Sequence, residues 1–113
     1  MSGLTSRTKG RRGEREAVHL LEERGWQIIE LGPGRKTEDI VAEDDCGRRV
    51  SVEVKNHLVW HLTTWRKQAK EQATRRKCAW LLLARIPNCP GQFYVEGTGR
   101  APSVWRGNAS RKD

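Results

Sequence analysis

Residues 39–55 read D-I-V-A-E-D-D-C-G-R-R-V-S-V-E-V-K, and this stretch decides the fold. From Arg49 to Lys55 the residues alternate almost without fault. Val50, Val52 and Val54 take one side, and Ser51, Glu53 and Lys55 take the other, the period of a strand. Asp39 to Glu43 is a second short β-branched run. Asp44, Asp45, Cys46 and Gly47 between them form a turn, so the two runs close as a hairpin. In such a hairpin the start of the first strand lies beside the end of the second. Asp39 is therefore expected near Glu53 and Lys55.

Outward from the hairpin, Gly32-Pro33-Gly34 is a strong breaker, extended by Arg35, Lys36 and Thr37. Before it, Trp26 to Leu31 reads as a strand. Gly13 to Arg24 reads as a helix, with Ala17, Val18 and Leu21 at helical spacing and Gly25 as its stop. Glu14 falls on the same inward stripe, so its carboxylate is expected to point toward the sheet. After the hairpin, a helix is expected from Leu62 to Lys77, with Leu62, Trp65, Ala69 and Ala73 as its apolar stripe. Ala79 to Ile86 is a continuous apolar run suited to a strand buried on both faces. A turn over Pro87 to Gly91 leads to an expected edge strand, Gln92 to Glu96.

The order predicted is α-β-β-β-α-β-β, an α/β fold with a mixed central sheet flanked by helices. Residues 1–12 carry Arg7, Lys9, Arg11 and Arg12 without an acid and read as a basic arm. Residues 13–96 form one domain. Residues 97–113, rich in Gly, Ser, Arg and Pro, read as a basic flexible tail.

Composition narrows the function. The chain has 113 residues, with 22 Lys and Arg against 14 Asp and Glu, a net charge of +8. A short chain this basic fits an acidic partner, and nucleic acid offers the densest regular charge. No apolar run nears the roughly 18 residues of a membrane span, and no secretory signal is visible. Cys46, Cys78 and Cys89 are too scattered for a zinc ribbon or a disulfide framework and read as reduced thiols in the cytoplasm.

The chemistry follows from the acids. Two carboxylates about 4 Å apart repel by roughly 4 kcal/mol at an effective dielectric of 20. Asp39, Glu53 and Glu14 together therefore call for a cation, and Mg²⁺, with Mn²⁺ as a substitute, suits oxygen ligands. Lys55 beside them can orient water, stabilise phosphorane-like charge or accept a proton.

Asp39 followed by Glu53-Val54-Lys55, with Glu14 on an upstream helix, resembles the PD-(D/E)XK nuclease superfamily. It is most similar to the small Holliday-junction resolvase branch. The matching stretches are Gly13 to Ala17, Gly25-Trp26, Asp39 to Ala42, Val52 to Lys55 and Trp65 to Ala69. The resemblance implies a restriction-endonuclease-like core, with Asp39 and Glu53 as metal ligands and the Val54 carbonyl as a backbone ligand. It implies Lys55 as the catalytic lysine and Glu14 as the carboxylate completing the site. Gln68 matches a glutamine of some branches. Glu38 stands where the motif has Pro, and Thr37 offers the hydroxyl that many archaeal members carry on a Ser.

Arg11, Arg12, Arg35 and Lys36 flank the site in sequence and are expected to bind phosphate, with Thr37 beside them; Lys67, Gln68 and Lys70 form a second DNA-facing set. The implied activity is a metal-dependent, structure-selective endonuclease acting on four-way DNA junctions. One site per chain and a two-fold substrate imply a homodimer. The competing readings are a repair, nicking or restriction-like nuclease of the same superfamily, and a non-catalytic nucleic-acid-binding module on the same fold.

Overall fold

The computed structural model describes residues 2–31 and 39–107. The elements run α1 (Ser2–Glu23), β1 (Gln27–Leu31), β2 (Asp39–Glu43), β3 (Arg49–Lys55), α2 (Leu62–Arg76), β4 (Ala79–Arg85), β5 (Gln92–Gly97) and β6 (Arg100–Arg106). The six strands form one sheet in sequence order. All neighbours are antiparallel except β3 and β4, which are parallel. A parallel pair needs a crossover, and α2 is that crossover.

Strand alternation splits the core into two layers. Val50, Val52 and Val54 of β3 and Leu81 and Leu83 of β4 pack with Ala17, Leu20 and Leu21 of α1. Leu82 and Ala84 point to the other face and pack with Trp65 of α2. Trp65, Ala69 and Ala73 recur every four residues and are the buried stripe of α2, as the sequence spacing predicts. Lys77 ends α2 in the left-handed conformation, and its N–H reaches back to the Thr74 carbonyl.

The mixed sheet, its flanking helices and the predicted strands are all present, with three differences at the margins. The basic segment expected as an arm continues α1 back to Ser2. No proline interrupts it, and a helix seeded by the buried turns at Ala17 and Leu21 propagates toward the N-terminus at little cost per residue. Part of the expected tail is a sixth strand, Arg100–Arg106. Pro102 hides this strand in the sequence, yet an edge strand tolerates proline because half its N–H groups face away from the sheet. Trp105 supplies the driving force: it is buried edge-on against Trp26, with ring centroids 6.1 Å apart, and Arg24 lies 3.8 Å above its ring. With β6 in place, β5 is an interior strand rather than an edge. Residues 108–113 lie outside the described residues.

The β5–β6 turn requires a glycine at 97. A Cβ there would stand 2.5 Å from the Trp80 carbonyl oxygen and 2.9 Å from the Leu81 side chain. The following turn is tied to β4, since Thr98 Oγ1 accepts from the Trp80 N–H at 3.0 Å and the Trp80 carbonyl accepts from the Thr98 N–H at 3.0 Å.

Candidate active site

The β2–β3 register sets Asp39 directly opposite Glu53. Directly opposed residues of an antiparallel pair share a sheet face, so positions 39 and 53 belong to one side. Lys55 lies two residues on, and its Nζ is 3.4 Å from Glu53 Oε2. Both residues are buried, each with 8% of its surface exposed. A pair at that distance attracts by about 5 kcal/mol at an effective dielectric of 20, before the cost of desolvating both groups. The alternation of β3 places them on the α2 face, while Val54 turns into the α1-side core.

Helix α1 reaches the same end of the sheet. A Cβ on Gly13 would lie 3.0 Å from the Asn56 Cβ, so this turn of α1 abuts the residue that follows Lys55. Glu14 is the next residue and is half-buried. Two further ties fix α1 here. Arg85 Nε donates to Glu16 Oε1 at 2.6 Å and its Nη2 donates to Glu16 Oε2 at 3.2 Å, while the Gly91 N–H also donates to Glu16 Oε1 at 3.0 Å. Arg85 is the residue after Ala84, the β4 partner of Lys55.

The other side of α2 is fixed by a second buried carboxylate. Arg66 of α2 chelates Glu96 of β5, with Nη2 to Oε1 at 2.9 Å and Nε to Oε2, and the Tyr94 hydroxyl donates to the same carboxylate. The Arg66 guanidinium holds the Glu96 carboxyl below its ordinary range, against the opposing effect of burial. Glu96 is two strands from Glu53 along one row, through Leu82. At about 4.8 Å per strand that is roughly 10 Å. In the neighbouring row Arg76 Nη1 donates to Ser51 Oγ at 3.0 Å.

Of the sequence-predicted residues, Asp39, Glu53 and Lys55 converge at one end of the sheet, and the Glu14 turn of α1 packs against the same end. Arg12 is exposed on α1, and Lys67, Gln68 and Lys70 are exposed on α2, where Lys70 Nζ sits 5.4 Å from the Trp80 ring centre. Arg11 falls within the backbone of α1. Arg35, Lys36 and Thr37 lie outside the described residues. The Glu16–Arg85 and Glu96–Arg66 pairs were not foreseen. Alternation in Gln92 to Glu96 puts Tyr94 and Glu96 on one face, but which cation meets them depends on how α2 lies on the sheet.

Glu53 brings a buried carboxylate to this end of the sheet, the ligand type that hard divalent cations such as Mg²⁺ take. A separate group, Asp44, Asp45 and Cys46, brings ligand atoms within 4.8 Å of one another at the β2–β3 turn. Asp44 has a structural task there: Oδ1 accepts the N–H groups of Cys46 at 3.0 Å and Arg48 at 2.8 Å, and Oδ2 accepts Arg48 Nε at 3.3 Å. Those bonds outweigh burial and hold its carboxyl below the ordinary value. The turn is at the opposite end of the hairpin from Glu53.

No protein-family model matches the chain, and neither a curated protein nor a solved structure matches it. No helix among the described residues is long and apolar enough to cross a membrane.

Proposed function

We propose that the chain is a metal-dependent DNA endonuclease of the PD-(D/E)XK type, acting on branched DNA and most specifically on four-way junctions. The observation that carries this reading is the register of Asp39 against Glu53, with Lys55 buried beside Glu53 where β3 runs parallel to β4. A solvated polar face would leave these charges in water; here a carboxylate and an ammonium are held in the fold at the end of a strand.

In this reading Asp39 and Glu53, with the Val54 carbonyl and Glu14, hold Mg²⁺ or Mn²⁺. The bound ion supplies a more acidic water and charge neutralisation at the scissile phosphate. Lys55 orients the attacking water and faces the charge that develops on the phosphate oxygens. Glu53 keeps the Lys55 ammonium in place. The Glu16–Arg85 pair fixes α1 so that Glu14 stays at the end of β3. Arg12, Lys67 and Lys70, with Arg11, Arg35 and Lys36, contact backbone phosphates and give affinity without sequence readout. A two-fold junction cut on two strands calls for a homodimer of this one-site chain. The cytoplasm, where DNA is accessible and thiols stay reduced, is the matching location.

The test compares an immobile four-way junction, linear duplex and single strand, each with Mg²⁺ or EDTA. Paired nicks on the junction in Mg²⁺ alone are expected. Equal cutting of linear duplex would remove junction selectivity, and binding without cutting in any divalent metal would leave a binding module.

A further inference from the structure

The loop from Asn56 to His61 joins Lys55 to α2, and it carries the two most exposed large apolar residues among those described, Leu58 at 72% and Val59 at 68%. Its flanks, by contrast, are anchored. Trp60 Nε1 donates to the His57 carbonyl at 3.1 Å and closes the loop on itself. The Trp60 ring packs on Tyr94 at 5.7 Å and on Trp65 at 6.1 Å, and the His57 ring packs on Trp65 at 5.4 Å. Tyr94 in turn shares Glu96 with Arg66. The aliphatic tip therefore stands on an aromatic base that is tied to both the sheet and α2.

We infer that Leu58 and Val59 form an apolar wedge that enters DNA at an opened base step beside the phosphate served by Lys55. The inference rests on the nuclease reading of that site. Leu58 is three positions on from Lys55, so their Cα atoms are at most about 10.5 Å apart. That is about three base rises along a strand. Aliphatic side chains inserted between bases are a general means of unstacking and kinking DNA, and the step is easiest where stacking is already broken, as at a branch point. Two aliphatic side chains are far too few for the roughly 1,200–2,000 Å² that a stable protein interface buries. A second copy would also bring its own +8 charge to this surface, whereas DNA brings the opposite charge.

The experiment uses the full chain and a four-way junction with 2-aminopurine at the branch point, in EDTA, so that no cleavage is needed. Wild type is expected to raise the fluorescence on binding, as the base unstacks. Leu58→Ala with Val59→Ala should abolish that rise and weaken junction binding by about tenfold, with linear-duplex affinity, thermal melting and oligomeric state unchanged. An undiminished rise in the double variant would overturn the wedge, and so would a change of oligomeric state, which would make the tip a contact between copies. A wild type that binds no junction would also overturn it. The two readings fail separately: wild type that cuts junctions in Mg²⁺ while the double variant unstacks them normally removes the wedge and leaves the nuclease.

Discussion

Replacing Glu16 by Ala removes both bonds to Arg85 and the acceptor for the Gly91 N–H in one step. The side chains of Arg85 and Glu16 are only 11% and 16% exposed, so water reaches the orphaned guanidinium poorly. Breaking a buried pair costs roughly 3–5 kcal/mol, and the residual exposure argues for the lower end. The Gly91 N–H adds about 1 kcal/mol. A loss of about 3–4 kcal/mol at roughly 4 °C per kcal/mol lowers Tm by about 12–16 °C. Urea unfolding followed by circular dichroism measures the loss directly. Glu16→Leu combined with Arg85→Met should recover most of it, because a packed apolar pair carries no desolvation cost. A single-variant loss below about 1 kcal/mol, or a double variant no better than the single, would refute this account of how α1 is held.

Other perturbations follow from the same geometry. Lys55→Met should fold and still bind DNA but cut at least about a hundredfold more slowly, read in single-turnover cleavage; near-normal rates would take Lys55 out of the reaction. Gly97→Ala forces a Cβ against the Trp80 carbonyl, a backbone atom that cannot move aside, and should cost about 1–3 kcal/mol in chemical denaturation. The Glu96 carboxyl is held below its ordinary value by Arg66. Its contribution is therefore complete above the unfolded glutamate value of about 4.3 and is lost as pH falls through the lower folded value. Glu96→Gln should flatten the fall of Tm with pH below about 4.3, and unaltered slopes in the variant would contradict the pairing.

The strands and their order were legible because each carries a local signal: perfect alternation in β3, an unbroken apolar run in β4, Gly-rich turns between. The hairpin also placed position 39 near Glu53 and Lys55, since a turn brings the start of one strand beside the end of the next; the pairing of 39 with 53 itself came from the structure. What stayed hidden was long-range. β6 is stabilised by Trp105 packing on Trp26, 79 positions away in the chain by subtraction of their residue numbers, while its own sequence holds a proline. The Glu16–Arg85 pair joins residues 69 apart, and no periodicity reports that. Leu58 and Val59 carry no sequence signal of their own; their exposure and the aromatic base beneath them are features of the folded loop.

The most direct measurement of the central claim is the Mg²⁺ dependence of phosphodiester cleavage on a four-way junction, for wild type and Glu53→Gln at matched DNA occupancy. Saturating, EDTA-reversible cleavage by wild type, and its loss in Glu53→Gln with junction binding kept, is the predicted result. Cleavage that persists in EDTA, or that survives Glu53→Gln, would contradict an active site built on Asp39, Glu53 and Lys55.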